Sequence, residues 1–161
     1  MSNNAPVHAD TPARRADVAE HPSLTISRFF KAPPALVYQA WTDPQKIVHW
    51  FGPDHGPVLH AEADVCVNGR YHVIFQTGDG EEHDVSGLYR VVEPDRRLTF
   101  TWSWRSMPER MSLVTVTMEP EGNGTRFTLL HEQFFDDVTR DAHNRGWTGC
   151  IAKLEQYLLA A

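Results

Sequence analysis

Nine histidines and two cysteines in 161 residues are the side chains with most chemistry to offer, and their spacing decides how much of it is usable. A metal ion held by one local segment needs closely spaced ligands, such as His-x3-His or Cys-x2-Cys. His49, His55 and His60 are separated by a helix end and a Gly-Pro loop, and His72 is expected on an outer sheet face, so no metal site is expected. The run GDGEEHD at 78–84 lacks the alternating ligands and terminal Glu of an EF-hand, and reads as a charged hairpin. Cys66 and Cys150 lie far apart without paired spacing and are expected as free, buried thiols. Phosphate cradling has little support either. GDG lacks the Lys-Ser/Thr of a P-loop, and Gly146 and Gly149 do not form a dinucleotide fingerprint.

General acid–base chemistry needs a titratable group positioned in a dry site and tuned by a neighbour. His131 is the one candidate, because it follows Phe127 and Leu129 on the apolar parity of GTRFTLLHE. Two readings stand: a buried histidine satisfied by a carbonyl or a Tyr hydroxyl, or a contact to a polar group of a ligand with His143 or Tyr89 as neighbours. No carboxylate shares the inward parity, no Ser-His-Asp constellation assembles, and no catalytic set is identified. His83 shares the parity of Val85 and Gly87, which leaves a place near a pocket mouth open, but a solvated strand end is the expected reading.

Charge narrows the partners. A net charge of -6, with Arg and Lys scattered, leaves no footprint for phosphate backbones or anionic membranes, so neither nucleic acid nor membrane is an expected partner. No apolar run approaches the roughly 20 residues of a spanning helix, and the polar N-terminus lacks a secretory signal, which together predict a cytoplasmic location.

The elements that must position these residues follow from periodicity. Residues 1–22 lack a period and read as a flexible tail, with one domain over 23–161. SLTISRFFKA alternates as a first strand. PPALVYQAWTD and DPQKIVHWFGP each open on proline and read as two short helices, the second capped by Asp43, carrying Ile47, Trp50 and Phe51 and stopping at Gly52-Pro53. Turn chemistry at Asn68-Gly69, Gly78-Asp79-Gly80, Glu93-Pro94-Asp95 and Glu121-Gly122-Asn123-Gly124 then separates six strands, at about 58–66, 70–77, 82–92, 96–105, 111–119 and 125–132. One face is predicted to carry Tyr71, Val73, Phe75, Val85, Gly87, Tyr89 and Val91. It continues through Leu98, Phe100, Trp102, Trp104, Val114, Val116, Met118, Phe127, Leu129 and His131. The other face is polar. A closing helix over about 137–160 covers the apolar face with Trp147, Ile151, Leu154 and Leu158, flanked by His143, Gly146, Cys150 and Tyr157. Gly146 lies on that flank, where a missing side chain admits a close approach or leaves room for a pocket; Gly149 faces away with no such reason. The result is an α+β architecture.

The stretches APPALVYQAWTDPQKIVHWFGP, ADVCVNGRYHV, VSGLYRVVEPDRRLTFTW, GTRFTLLHEQF and HNRGWTGCIAKLEQYL, in this order and spacing, resemble the bacterial homologues of the activator of heat-shock-protein-90 ATPase. This family belongs to the START-like (SRPBCC) superfamily. The likeness spans about residues 24–159 and departs at Asn68, where the family often has a glycine; an altered turn is expected there. It implies a helix-grip fold, a seven-stranded curved antiparallel sheet wrapped around a long C-terminal helix, with a cavity between them. Placed on that fold, Tyr71, Tyr89, Trp102, Trp104, His131, His143, Gly146 and Trp147 converge on the gap, with Trp50 and Phe51 at one end. The expected role is binding an apolar, aromatic or lipid-like small molecule without a cofactor. Two alternatives stay open: a co-chaperone-like activator of an Hsp90-type ATPase, and a cavity enzyme using His131 as acid or base. An exposed edge strand leaves both monomer and homodimer open.

Overall fold

A computed structural model describes residues 21–161. The expected tail lies outside the described residues except for His21 and Pro22, which both bond the Phe134 backbone: His21 Nδ1 lies 3.1 Å from its carbonyl, and its N–H donates to Pro22 O.

The chain runs β1 (Leu24–Phe30), α1 (Pro34–Thr42), α2 (Pro44–Ile47), β2 (Val58–Ala63), β3 (Arg70–Gln76), β4 (Glu82–Glu93), β5 (Arg97–Trp104), β6 (Ser112–Glu121), β7 (Gly124–Glu132) and α3 (Asp137–Ala160). The strands form one antiparallel sheet in the order β1-β7-β6-β5-β4-β3-β2. Sequential hairpins build six of its strands, and β1 closes against β7 to leave β1 and β2 as edges. This is the helix-grip architecture: one polar face, one apolar face, and α3 laid across the latter.

Period-two alternation sorts the core as expected, with Tyr71, Val73, Phe75, Val85, Tyr89, Leu98, Phe100, Trp102, Val114, Val116, Met118, Phe127 and Leu129 buried. Val91 is the exception. A register shift between Tyr89 and Val91 inserts a bulge, so Val92 instead packs on the core, opposite Leu98. The outer face of β5 is also less solvated than its polarity suggests. Thr99 and Thr101 are buried, and the Thr101 hydroxyl accepts the Leu88 N–H at 2.9 Å.

α3 starts where Asp136 accepts the Thr139 N–H at 2.8 Å, and its spine of Trp147, Ile151, Leu154 and Leu158 is buried together with Cys150. α2 is shorter than its apolar stripe suggests. It ends at Ile47, and turns carry the chain to Trp50, whose indole N–H donates to Ala40 O at 2.9 Å and ties α1 to α2. Asn68 has φ 69°, the left-handed conformation that Asn tolerates, so the turn keeps the backbone a glycine would favour. Both thiols are free, but Cys66 is exposed rather than buried.

Candidate functional site

A cavity of about 200 Å³ lies between α3 and one end of the sheet. Alternation along β5 turns Trp102 and Trp104 into it, and Phe75 of β3 lies opposite His83 of β4 in the register, with the rings stacked at 5.2 Å. From α3 come Ala142, His143, Gly146, Trp147 and Cys150, which recur at three- and four-residue intervals on one helical face. The loop Phe51-Gly52-Pro53 completes the wall. That loop is fastened to α3: Lys153 Nζ donates to Phe51 O at 3.2 Å and to the Asp54 carbonyl.

The cavity wall is almost wholly apolar. Its polar atoms sit in two places. At one rim the Thr77 hydroxyl donates to Asp79 Oδ1 at 2.6 Å and lies 3.1 Å from His83 Nε2; this hydroxyl is the main cause holding the Asp79 carboxyl below its usual range. At the helix, His143 Nδ1 donates to Thr139 O at 2.8 Å while its Nε2 accepts the Trp104 indole N–H at 3.1 Å. Burial lowers the His143 pKa, so the ring is neutral with both nitrogens engaged. Cys150 is equally quiet, because burial pushes its thiol up to about 12, far from a reactive thiolate.

Six of the ten side chains singled out in the sequence line this cavity: Phe51, Trp102, Trp104, His143, Gly146 and Trp147. Trp50, Tyr71 and Tyr89 instead border a second void of about 30 Å³ deeper in the core, alongside Trp41, Phe51 and Trp102. The indole N–H groups of Trp41 and Trp102 are buried without an acceptor among the described residues, and both rings border this void, whose size suits one water molecule. His131 borders neither space. It is fully buried, its Nδ1 accepts the Trp147 indole N–H at 3.0 Å, and its Nε2 donates to the Ser112 hydroxyl at 2.7 Å. Burial, with a smaller contribution from His143, drives its pKa well down. A histidine with both nitrogens bonded inside the core offers neither a lone pair nor a proton to a molecule in the cavity.

Gly52, Pro53, Phe75, Thr77, His83, Ala142 and Cys150 are the lining residues not among the ten selected from the sequence. Phe75 was within reach, since it continues the inward parity of Tyr71 and Val73, and Cys150 lies one turn beyond Gly146. Thr77 and Pro53 stand in loops, where no period marks an inward residue.

Comparison with known proteins places this geometry. The profile of the family described as "Activator of Hsp90 ATPase homolog 1-like protein" matches residues 31–159. The chain belongs to this family. Among solved structures, the AHSA1 protein from Silicibacter pomeroyi is 28% identical at a TM-score of 0.78, covering 86% of this chain and 99% of its own. A protein from Rhizobium leguminosarum is 28% identical at 0.74, over 88% and 97% of the two chains. A Chromobacterium violaceum protein, at 24% identity, 0.77, and 84% and 96% coverage, shares the fold. No functionally curated protein matches the chain. Membership of the Hsp90-activator-like family, together with the helix-grip fold, supports a ligand-binding or activator-type role. No helix among the described residues is long and apolar enough to cross a membrane.

Proposed function

We propose that this protein binds a small, uncharged molecule of one or two aromatic rings in the cavity beneath α3. The observation that carries the reading is the cavity itself: about 200 Å³, walled by the rings of Phe51, Phe75, Trp102, Trp104 and Trp147. An apolar cavity of about 150 Å³ accepts benzene, whereas drug-sized ligands occupy roughly 300–1,000 Å³, so the space suits one or two rings better than a long acyl chain. Ring faces and edges on the wall favour offset and edge-on aromatic packing. Charge is disfavoured, because no Asp, Glu, Lys or Arg lines the wall and His143 is held neutral. The Thr77–His83 rim supplies the polar group that would orient a hydroxyl or carbonyl on the ligand.

Tryptophan fluorescence tests this directly, since three indoles border the space. Titration with indole and 1-naphthol is expected to give a saturable change, and palmitate is not. Gly146→Leu, which projects a side chain into the cavity, is expected to abolish the response while circular dichroism shows an intact fold. An unresponsive wild-type protein, or a Gly146→Leu variant that binds equally well, would end the proposal.

The family description favours a second reading, in which the chain stimulates the ATPase of an Hsp90-type chaperone. That role would use the outside of the molecule, and the two readings separate experimentally.

A further inference from the structure

The outer face of the sheet gathers a group of side chains that the cavity does not use. In the β2–β3 pairing Glu62 stands directly opposite His72, and His60 precedes Glu62 by two residues on the same face. Ligand atoms of His60, Glu62 and His72 all lie within 4.8 Å of one another. His60 Nε2 is 3.2 Å from one Glu62 oxygen, and His72 Nδ1 is 3.8 Å from the other. Donors bound to a tetrahedral Zn²⁺ at about 2.0–2.2 Å stand about 3.4 Å apart, so small side-chain rotations close the set.

The remaining nitrogen of His72 makes this more than a surface cluster. Its Nε2 lies 2.8 Å from Asp84 Oδ1, on the neighbouring strand β4. The exposed Arg105 guanidinium lies 3.8 Å from the other Asp84 oxygen. With Nε2 turned to a carboxylate, Nδ1 is the nitrogen left facing Glu62, the arrangement by which metal-binding histidines are commonly oriented. The His72–Asp84 pair is four-fifths buried, at 20% and 19% side-chain exposure, whereas His60 and Glu62 are open to solvent at 45% and 54%. One side of the group is preset and the other has room for water.

We propose that His60, Glu62 and His72 bind a divalent transition metal of the Zn²⁺ class, with Asp84 orienting His72 and water completing the coordination. Two imidazoles and one carboxylate suit Zn²⁺ and its neighbours in the first transition row, whereas Ca²⁺ and Mg²⁺ take oxygen donors. Ligand spacing within single segments predicts no metal; this set spans two strands, with its orienting carboxylate on a third, and only register brings it together.

The test is competition for Zn²⁺ between the tag-free full-length protein and a chromophoric chelator. One Zn²⁺ per chain is expected. His60→Ala and His72→Ala are each expected to weaken binding at least tenfold. Asp84→Asn should weaken it by roughly 10–100-fold without removing a ligand, and His49→Ala should leave it unchanged. Co²⁺ should give a visible absorption band that His60→Ala and His72→Ala lose and His49→Ala keeps. His60 is exposed, so its loss does not threaten the fold and the comparison stays readable. No stoichiometric Zn²⁺, or an ion whose affinity survives the His60→Ala/His72→Ala double variant, would overturn the site and show a hydrogen-bonded ion-pair cluster only.

Discussion

Trp147 donates to His131, His131 to Ser112, and the Ser112 hydroxyl lies 3.4 Å from the Trp102 carbonyl; beside it Trp104 donates to His143, which donates to Thr139. Each imidazole is therefore neutral by its bonding as well as by burial, and adding a proton would break an indole bond. Both folded-state pKa values lie below the ordinary histidine value. Below about pH 6.5 the unfolded chain takes up protons that the folded one refuses, so this contribution to stability is complete above that pH and falls away beneath it. The loss is at most about 1.4 kcal/mol per pH unit for each histidine. Asp54, Asp79 and Asp136, whose carboxyl pKa values are held down by hydrogen bonds, add their own loss only nearer pH 4. Urea midpoints between about pH 6.5 and 5 should thus decline in the wild type and decline less steeply in His131→Gln and His143→Gln. Equal slopes in all three would dismiss this account.

The two glycines of α3 show what one element demands of its residues. A Cβ on Gly149 would collide with the Pro53 carbonyl, whereas one on Gly146 would meet only Pro53 Cβ, at 3.7 Å. The sequence assigns the need for space the other way round, because a helical wheel centred on the Trp147–Leu158 spine turns Gly149 outward. The loop after α2 crosses that outward side, and no periodicity reports a loop's path. Gly149→Ala is accordingly expected to cost about 1–3 kcal/mol through overpacking, while Gly146→Ala should be neutral or stabilising by up to about 1 kcal/mol from helix propensity. Thermal denaturation of the two variants checks the pair, and equal shifts would refute the distinction. The elements themselves were legible: alternation and turn residues located all seven strands, and the closing helix over about 137–160 was readable from its apolar spine. What escaped was relational. The Val91 bulge, the Trp–His bonds, and the His60–Glu62–His72 group each depend on register or crossing between segments. The cavity depends on volume that side chains leave unfilled, which a sequence of large aromatic residues does not report.

At the scale of the whole molecule, the cavity joins parts of the chain that are remote in sequence: the 51–53 loop, the ends of β3–β5 and the first half of α3. An occupant touching all of them stabilises the folded state globally, by about 2.7 kcal/mol at one hundred times its dissociation constant. A chaperone partner would instead meet the exterior, where exposed apolar residues include Leu59, Val67, Phe135 and Val138. Exposed apolar residues are ordinary on a monomer and do not by themselves mark an interface. Gly146→Leu divides the two, because it alters the cavity without touching the outer face of the sheet. The variant is expected to lose the rise in melting temperature that indole or 1-naphthol gives the wild type. Any stimulation of an Hsp90-type ATPase should survive in it at the wild-type level if the exterior alone carries that activity. Stimulation lost together with the thermal shift would mean instead that the loaded cavity sets the shape the chaperone reads, and that one ligand-dependent function underlies both.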